Sequence, residues 1–245
     1  MRVTVILRYI GTALLLIALF EFAAACIAFY DGRDSSFVPL AASCFLSFVT
    51  GIFPRLYVRP VNRVSRQESS FIVLGAWLIS CIFGTFPYLF WGEMSPVDAL
   101  FESVSGFTTT GSTILEDIEA LPRSLLFWRS STHFIGGLGV VVFLLLIIPS
   151  ASPIRMRLTS MELSSLSKDA YKVRANKTVY IFAVVYIAIC VVAFFSYWIA
   201  GMTPFDAINH AMSVCATGGF STRNRSIGAY DSRLIEGLTM LFMYV

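Results

Sequence analysis

Five stretches of the chain run almost without charge: residues 9–30, apolar except for Glu21, then 37–54, 69–92, 130–154 and 178–205. Each is close to or longer than the roughly 20 residues a helix needs to cross the hydrocarbon core of a bilayer. Their apolar positions are continuous rather than alternating, which predicts membrane helices rather than strands. The first stretch lacks a small-residue cleavage site and exceeds a signal-peptide core in length, so it reads as a helix.

Basic residues cluster at one set of junctions. Arg2 and Arg8 precede the first span, Arg55, Arg59, Arg63 and Arg66 follow the second, and Arg155, Arg157, Lys168, Lys172, Arg174 and Lys177 follow the fourth. Asp31 and Asp34 lie between the first two spans, and Glu93, Asp98, Glu102, Glu116, Asp117 and Glu119 between the third and fourth. The excess of Lys and Arg marks the cytoplasmic side, placing the N-terminus inside and the acidic loops outside. Residues 97–115 then raise a conflict. They are fairly apolar, but a full crossing there would invert everything that follows. A re-entrant segment resolves it, and non-helical backbone at membrane depth requires surrounding protein or a water-filled cavity.

The same unit occurs twice. Residues 95–113 read SPVDALFESVSGFTTTGST and residues 203–221 read TPFDAINHAMSVCATGGFS. At an offset of 108, Pro96/Pro204, Asp98/Asp206, Ala99/Ala207, Ser105/Ser213, Thr109/Thr217 and Gly111/Gly219 are identical. Ser95 and Thr203 suit the N-cap, with proline at N1 and aspartate at N3. The negative end of each short helix then points into the membrane at Thr108 or Ala216, where a cation is favoured. Gly111 and Gly219 permit turns whose carbonyls face one axis, the arrangement that replaces the hydration shell of a potassium ion.

Composition sharpens the class. Hydrophobic residues make up 57% of the 245 and charged residues 13%, and the mean hydropathy is +0.76. These values exclude a soluble enzyme, a disordered chain and a secreted disulfide scaffold. A net charge of +3 is too weak to point to nucleic acid. The five cysteines show no CxxC spacing and read as small buried hydrophobes. The two histidines are far apart, and no HExxH or nucleophile-elbow string is present, which speaks against an intramembrane enzyme. A non-conducting membrane scaffold is the other alternative, but it has no need of two such turns.

Three strings carry a family resemblance: VSGFTTTGST at 104–113, FWRSSTHFIGGLG at 127–139 and TGGFSTR at 217–223. With them the chain resembles the Trk/Ktr/HKT superfamily of potassium transporters, most closely the bacterial TrkH/TrkG type. The resemblance implies an all-α membrane protein built from helix–pore helix–filter loop–helix repeats around one pseudo-fourfold pathway. Residues 1–69 form the preceding two-helix unit with its basic loop, 70–150 the first repeat, 151–177 a cytoplasmic basic linker and 178–245 a second repeat cut within its last helix. Family chains are about twice this length, so this one is read as an N-terminal portion.

The resemblance puts Gly111 and Gly219 in the filter-glycine role, with Thr108, Thr109, Thr110, Ala216, Thr217 and Gly218 as carbonyl ligands of the transported potassium ion. Arg129, Ser112 and Phe220 are the expected supports of the filter, although Arg129 could also act by repelling cations. A glycine in each repeat favours potassium over sodium. The implied partners are a cytosolic nucleotide-binding regulatory subunit of the TrkA kind, membrane lipid and a second copy of the full-length chain. The implied location is the bacterial inner membrane, and channel-like and ion-coupled transport both remain open.

The remaining polar residues are read more plainly. Glu21 is expected to bind a neighbouring helix, and His133 and His210 to be packing residues. Arg223 and Arg225 should pair with acidic residues such as Asp231 or Glu236. Gly136, Gly137 and Gly139 fit either close helix contact or a bend lining the inner pathway.

Overall fold

The computed structural model describes residues 2–59, 61, 64–147 and 165–244. Among them the chain is helical, without strands: α1 (Val3–Tyr30), α2 (Phe37–Tyr57), α3 (Arg66–Trp91), α4 (Pro96–Phe107), α5 (Arg123–Ile147), α6 (Ser165–Ile199), α7 (Pro204–Cys215) and α8 (Arg233–Tyr244). Among the described residues four helices are long and apolar enough to cross a membrane, namely Val3–Tyr30, Phe37–Tyr57, Gln67–Trp91 and Tyr180–Ile199.

The uncharged runs locate these helices but misplace some of their ends. Helix α5 begins at Arg123 rather than at residue 130, because Pro122 accepts the first backbone bonds from Leu125 and Leu126. Helix α6 starts at Ser165, so residues 165–177 of the expected linker are helical and continuous with the span. It stops at Ile199, since Gly201 takes a positive φ and Pro204 opens the next helix. The remaining linker residues to 164, and Arg63, lie outside the described residues.

Polar contacts sort the helix ends into two sides. On one side, Arg2 grips Glu68 with Nε to Oε1 and Nη2 to Oε2, both at 2.9 Å. Glu68 also closes a capping box with Ser65 at the start of α3. Nearby, Arg8 donates to the carbonyls of Arg55 and Val58 at the end of α2. On the other side, Trp91 Nε1 donates to Ser35 Oγ at 3.1 Å, Arg123 Nη1 to Asp31 Oδ1 at 3.1 Å, and Ser124 Oγ to Asp34 Oδ2 at 3.0 Å.

Helix α1 packs most extensively on α2. The Glu21 carboxylate is fully buried there and accepts from the Ser43 hydroxyl, in agreement with its role in helix packing. One core gathers α1, α3, α4 and α5 around Ile17, Tyr88, Leu125 and Trp128. A second gathers α6, α7 and α8 around Tyr197, Ala207 and Ile235. Only Cys81 of the five cysteines is buried; Cys44, Cys190 and Cys215 are half-buried, and Cys26 lies on the outer surface of the bundle. In a span that faces lipid, exposure of an apolar thiol carries no penalty, so cysteine burial does not follow from the apolar runs.

Candidate functional site: two turns at the ends of α4 and α7

Helices α4 and α7 are each 12 residues long and start with the same chemistry. Ser95 Oγ accepts from Asp98 N, and Thr203 Oγ1 from Asp206 N, with proline at the first helical position in both. At 1.5 Å per residue each helix is about 18 Å long, half a bilayer rather than a crossing.

Their ends lie deep beside α5. A side chain at Gly136 would strike the carbonyl of Phe107, the last residue of α4. One at Gly137 would meet Tyr186 OH at 2.6 Å and Ala216 Cβ at 2.9 Å, just beyond α7. These two glycines therefore serve close contact, while Gly139 has only Trp77 Nε1 nearby, at 3.7 Å. Gly136 is 13 residues into α5, so α4 ends about 20 Å below the start of α5. The chain then climbs back through residues 108–122 without helix.

The two turns share their backbone bonds. Thr109 N donates to Gly106 O and Thr110 N to Ser105 O, both at 3.0 Å. At the offset of 108, Thr217 N donates to Val214 O at 2.8 Å and Gly218 N to Ser213 O at 2.9 Å. Thr109 and Thr217 both take left-handed backbone, with φ of 55° and 51°. This is unusual for β-branched residues.

The glycines differ, against the equivalence the repeat predicts. Gly111 has a φ of +75°, whereas Gly219 does not enter the left-handed region. A Cβ on Gly111 would lie 2.5 Å from Gly219 N, but one on Gly219 would reach Gly111 Cα only at 3.6 Å. The turns touch here, backbone to backbone.

The carbonyl oxygens of Thr108, Thr109, Thr110, Ala216, Thr217 and Gly218 accept no hydrogen bond among the described residues. Six backbone acceptors left open at this depth are costly unless something else meets them.

Behind each turn a hydroxyl ties the end of the turn to its own helix. Thr113 Oγ1 lies 3.0 Å from both oxygens of Glu102, and Ser221 Oγ lies 3.0 Å from His210 Nε2. Glu102 and His210 occupy the same repeat position, as do Thr113 and Ser221. The anchoring hydroxyl is thus Thr113 rather than Ser112, which is exposed and makes no side-chain bond among the described residues. The offset alignment could have shown this, because it keeps a hydroxyl at 113/221 and loses it at 112/220.

Arg129 is buried and braces both turns. Its Nε donates to Glu102 Oε1 at 2.7 Å, its Nη1 to Ser221 O at 3.2 Å, and its guanidinium carbon lies 4.1 Å from the Phe220 ring centre. Phe220 also stacks on His133, at 4.2 Å and 11°. His133 Nδ1 bonds Ser213 Oγ at 2.9 Å, and a side chain at Gly218 would strike the imidazole. Both histidines therefore pack directly behind the second turn.

The returning loops are stitched together on the Asp31 side. Asn224 Nδ2 donates to Asp117 Oδ1 at 2.8 Å, and Asn224 Oδ1 accepts from Ile118 N at 2.6 Å. Arg223 pairs with Asp206 at 2.8 Å and reaches Glu119 at 4.0 Å, not Asp231 or Glu236. The left-handed turn at Asp231 separates that residue from the loop. Burial alone would raise the Asp206 carboxyl, but hydrogen bonds from Thr222 and Arg223 outweigh it and hold the group below its ordinary value. Burial, then the Asp206 charge, pushes the Tyr230 phenol up to about 12.

Long apolar helices together with two capped helices that enter and return define a multi-pass helical membrane protein. The chain matches the family model described as "TrkH: Cation transport protein" over residues 62–245. It belongs to that family. It is 32% identical over 246 residues to the Trk system potassium uptake protein TrkH of Vibrio parahaemolyticus, covering 98% of this chain and 50% of that protein. Identity to the Halomonas elongata TrkH is 33% over 251 residues, covering 100% and 52%. Identity to the Escherichia coli TrkG is 35% over 173 residues, covering 69% and 36%. The crystal structure of the potassium transporter TrkH from Vibrio parahaemolyticus superposes with a TM-score of 0.81 at 31% identity, covering 99% of this chain and 49% of that one. The chain spans about half the length of the TrkH relatives it matches.

Proposed function

We propose that the chain takes part in potassium uptake across the bacterial cytoplasmic membrane, with the turns at 108–111 and 216–219 as two walls of its selectivity filter. The carrying observation is the set of six carbonyl oxygens that no donor among the described residues meets. A dehydrated potassium ion is the partner such oxygens suit, and the inward ends of the α4 and α7 dipoles favour a cation there. The relatives named as potassium uptake proteins support the choice of ion. The family's pseudo-fourfold pathway needs two further walls beside these two, which meet at Gly111 and Gly219. Residues 1–69 then precede a first repeat at 70–150 and a second at 178–245, and a basic segment at 151–177 meets lipid headgroups and a nucleotide-binding regulatory subunit. The complete transporter forms a homodimer.

Orientation follows the basic residues, with Arg2, Arg8 and Arg55 inside and the Asp31 side outside. An impermeant thiol reagent applied to intact cells should label a cysteine placed at Glu116 and spare one placed at Arg55. The opposite pattern removes the topology.

The function itself is tested by potassium and sodium flux of the intact transporter in proteoliposomes. Selective potassium flux is expected. A protein that folds and inserts but moves neither ion is the membrane scaffold or the intramembrane enzyme instead.

A further inference from the structure

Glu102 is a glutamate in a membrane-embedded helix, and it is fully buried. Its partner Arg129 is buried too, at a side-chain exposure of 1%. Water screens neither charge, and removal of either partner leaves the other buried and unpaired.

An ion pair that only held α4 to α5 would end at those two residues. This one continues. Through Thr113 Oγ1, the Glu102 carboxylate holds the segment two residues beyond the first turn. Through Ser221 O and the Phe220 ring, the guanidinium holds the two residues that follow the second turn. Ser221 is gripped from both directions, its carbonyl by Arg129 of the first unit and its hydroxyl by His210 of its own helix. The second unit offers no reciprocal strut, since His210 stands where a second glutamate would be needed.

We propose that Glu102 and Arg129 are positioning residues for ion selectivity. They form a buried strut through which the first unit sets the place of the second turn. The spacing of the two turns, and with it discrimination between potassium and sodium, then depends on a pair that touches no ion. This inference rests on the filter reading given above.

The measurement is the ratio of potassium to sodium uptake by the intact transporter, in cells lacking other potassium uptake, normalised to folded protein in the membrane. E102Q keeps the volume and the bond from Thr113 but removes the charge that holds Arg129, and should lower the ratio on the order of tenfold. R129K keeps the charge but cannot present a planar fork to Glu102 and Ser221 O together, and should lower it comparably. Joining the two changes should cost no more than either alone, as expected for groups that act as one. E102D should recover part of the ratio. D98N, on the same helix but tied only to its own cap, should leave it unchanged.

G111S serves as the reference for the filter itself. If it shifts the ratio while E102Q, R129K and E102D all stay within about twofold of wild type, outside the coupling expected of a buried pair, the strut is refuted and the filter reading stands. If G111S also leaves the ratio untouched, the filter reading fails and the strut falls with it. Should E102Q not reach the membrane, R129K and E102D decide the matter.

Discussion

The two capped units share their helix starts and the two bonds that close each turn, and differ in what supports them. In both, a short helix starts on a hydroxyl cap with proline and aspartate behind it, and the turn after it closes with the same pair of backbone bonds. Behind the first turn stands a carboxylate bound to an arginine; behind the second stand two histidines and a phenylalanine. At the entrance the charge is reversed in weight. Among the described residues Asp98 is tied only to Ser95, whereas Asp206 is buried and paired with Arg223. The geometry of a turn can therefore be held constant while its support moves from one end of the helix to the other. Charge buried at one level in the first unit is buried at another in the second.

The sharpest way to break the comparison is at the glycines. Gly111→Ser demands a left-handed serine and drives its Cβ to 2.5 Å from Gly219 N. Left-handed backbone alone costs about 1–2 kcal/mol. Gly219→Ser meets only ordinary contacts. Both should lower the ratio of potassium to sodium uptake, Gly111→Ser by roughly tenfold, equivalent to about 1.4 kcal/mol of differential ion stabilisation, and Gly219→Ser by severalfold less, because only the former must displace the partner turn. Equal effects would restore the symmetry of the repeat and remove the structural distinction.

The aspartates come next. Asp206→Asn should lower the melting temperature of the detergent-solubilised transporter more than Asp98→Asn. The loss is about 1–2 kcal/mol for the former, the partial exposure of Arg223 moderating it, against under about 1 kcal/mol for a cap that keeps a polar side chain. The difference should also depend on pH. Because the folded Asp206 carboxyl lies below the ordinary 3.8, its contribution is complete above that value and fades as the pH falls through the folded value. Acid melting curves of wild type and Asp206→Asn should converge below that point. Curves that stay parallel would show that Arg223 does not hold the carboxylate in its charged form.

A finer test compares the anchoring hydroxyls. Thr113→Ala removes a bond to a charged group and should cost about 1.5–3 kcal/mol, whereas Ser221→Ala removes one to an imidazole and should cost about 1 kcal/mol. Urea or thermal titration of the two variants measures that difference, and equal costs would show that the Thr113 bond gains nothing from the Glu102–Arg129 pair. The smallest effect belongs to Ser130→Ala. Its hydroxyl only bonds back to Leu126 O at 3.2 Å, and neither flux ratio nor melting temperature should move measurably.

Much of this architecture is written in local rules. Proline and aspartate after a hydroxyl announce the starts of α4 and α7, and the charge-free runs announce the spans. The topological conflict at 97–115 announces a segment that enters and returns. What stays hidden depends on tertiary placement. Nothing local says that Glu102, one acid among six between the third and fourth spans, points inward to Arg129 while Asp98 stays at the surface. The pairing of Arg223 with Asp206 requires the loop to fold back over its own helix. The repeat suggests that Gly111 and Gly219 share a conformation, but the left-handed residues common to both turns are threonines. Threonine carries no such signal, so only the assembled turn reveals it.

Glu21 has a consequence for the birth of the protein. A carboxylate near the middle of a helix costs on the order of 3 kcal/mol when that helix enters the bilayer by itself. The remedy is Ser43, on the very next helix, only six residues of connection away. Against Gly51 of α2, the α1 backbone at Gly11 comes so near that a Cβ there would lie 2.6 Å from the Gly51 carbonyl oxygen. The first helix is thus an incomplete passenger at the insertion machinery. Insertion of α1 by itself would leave the Glu21 carboxylate in lipid without Ser43, a cost that insertion of α1 and α2 together as a hairpin lowers.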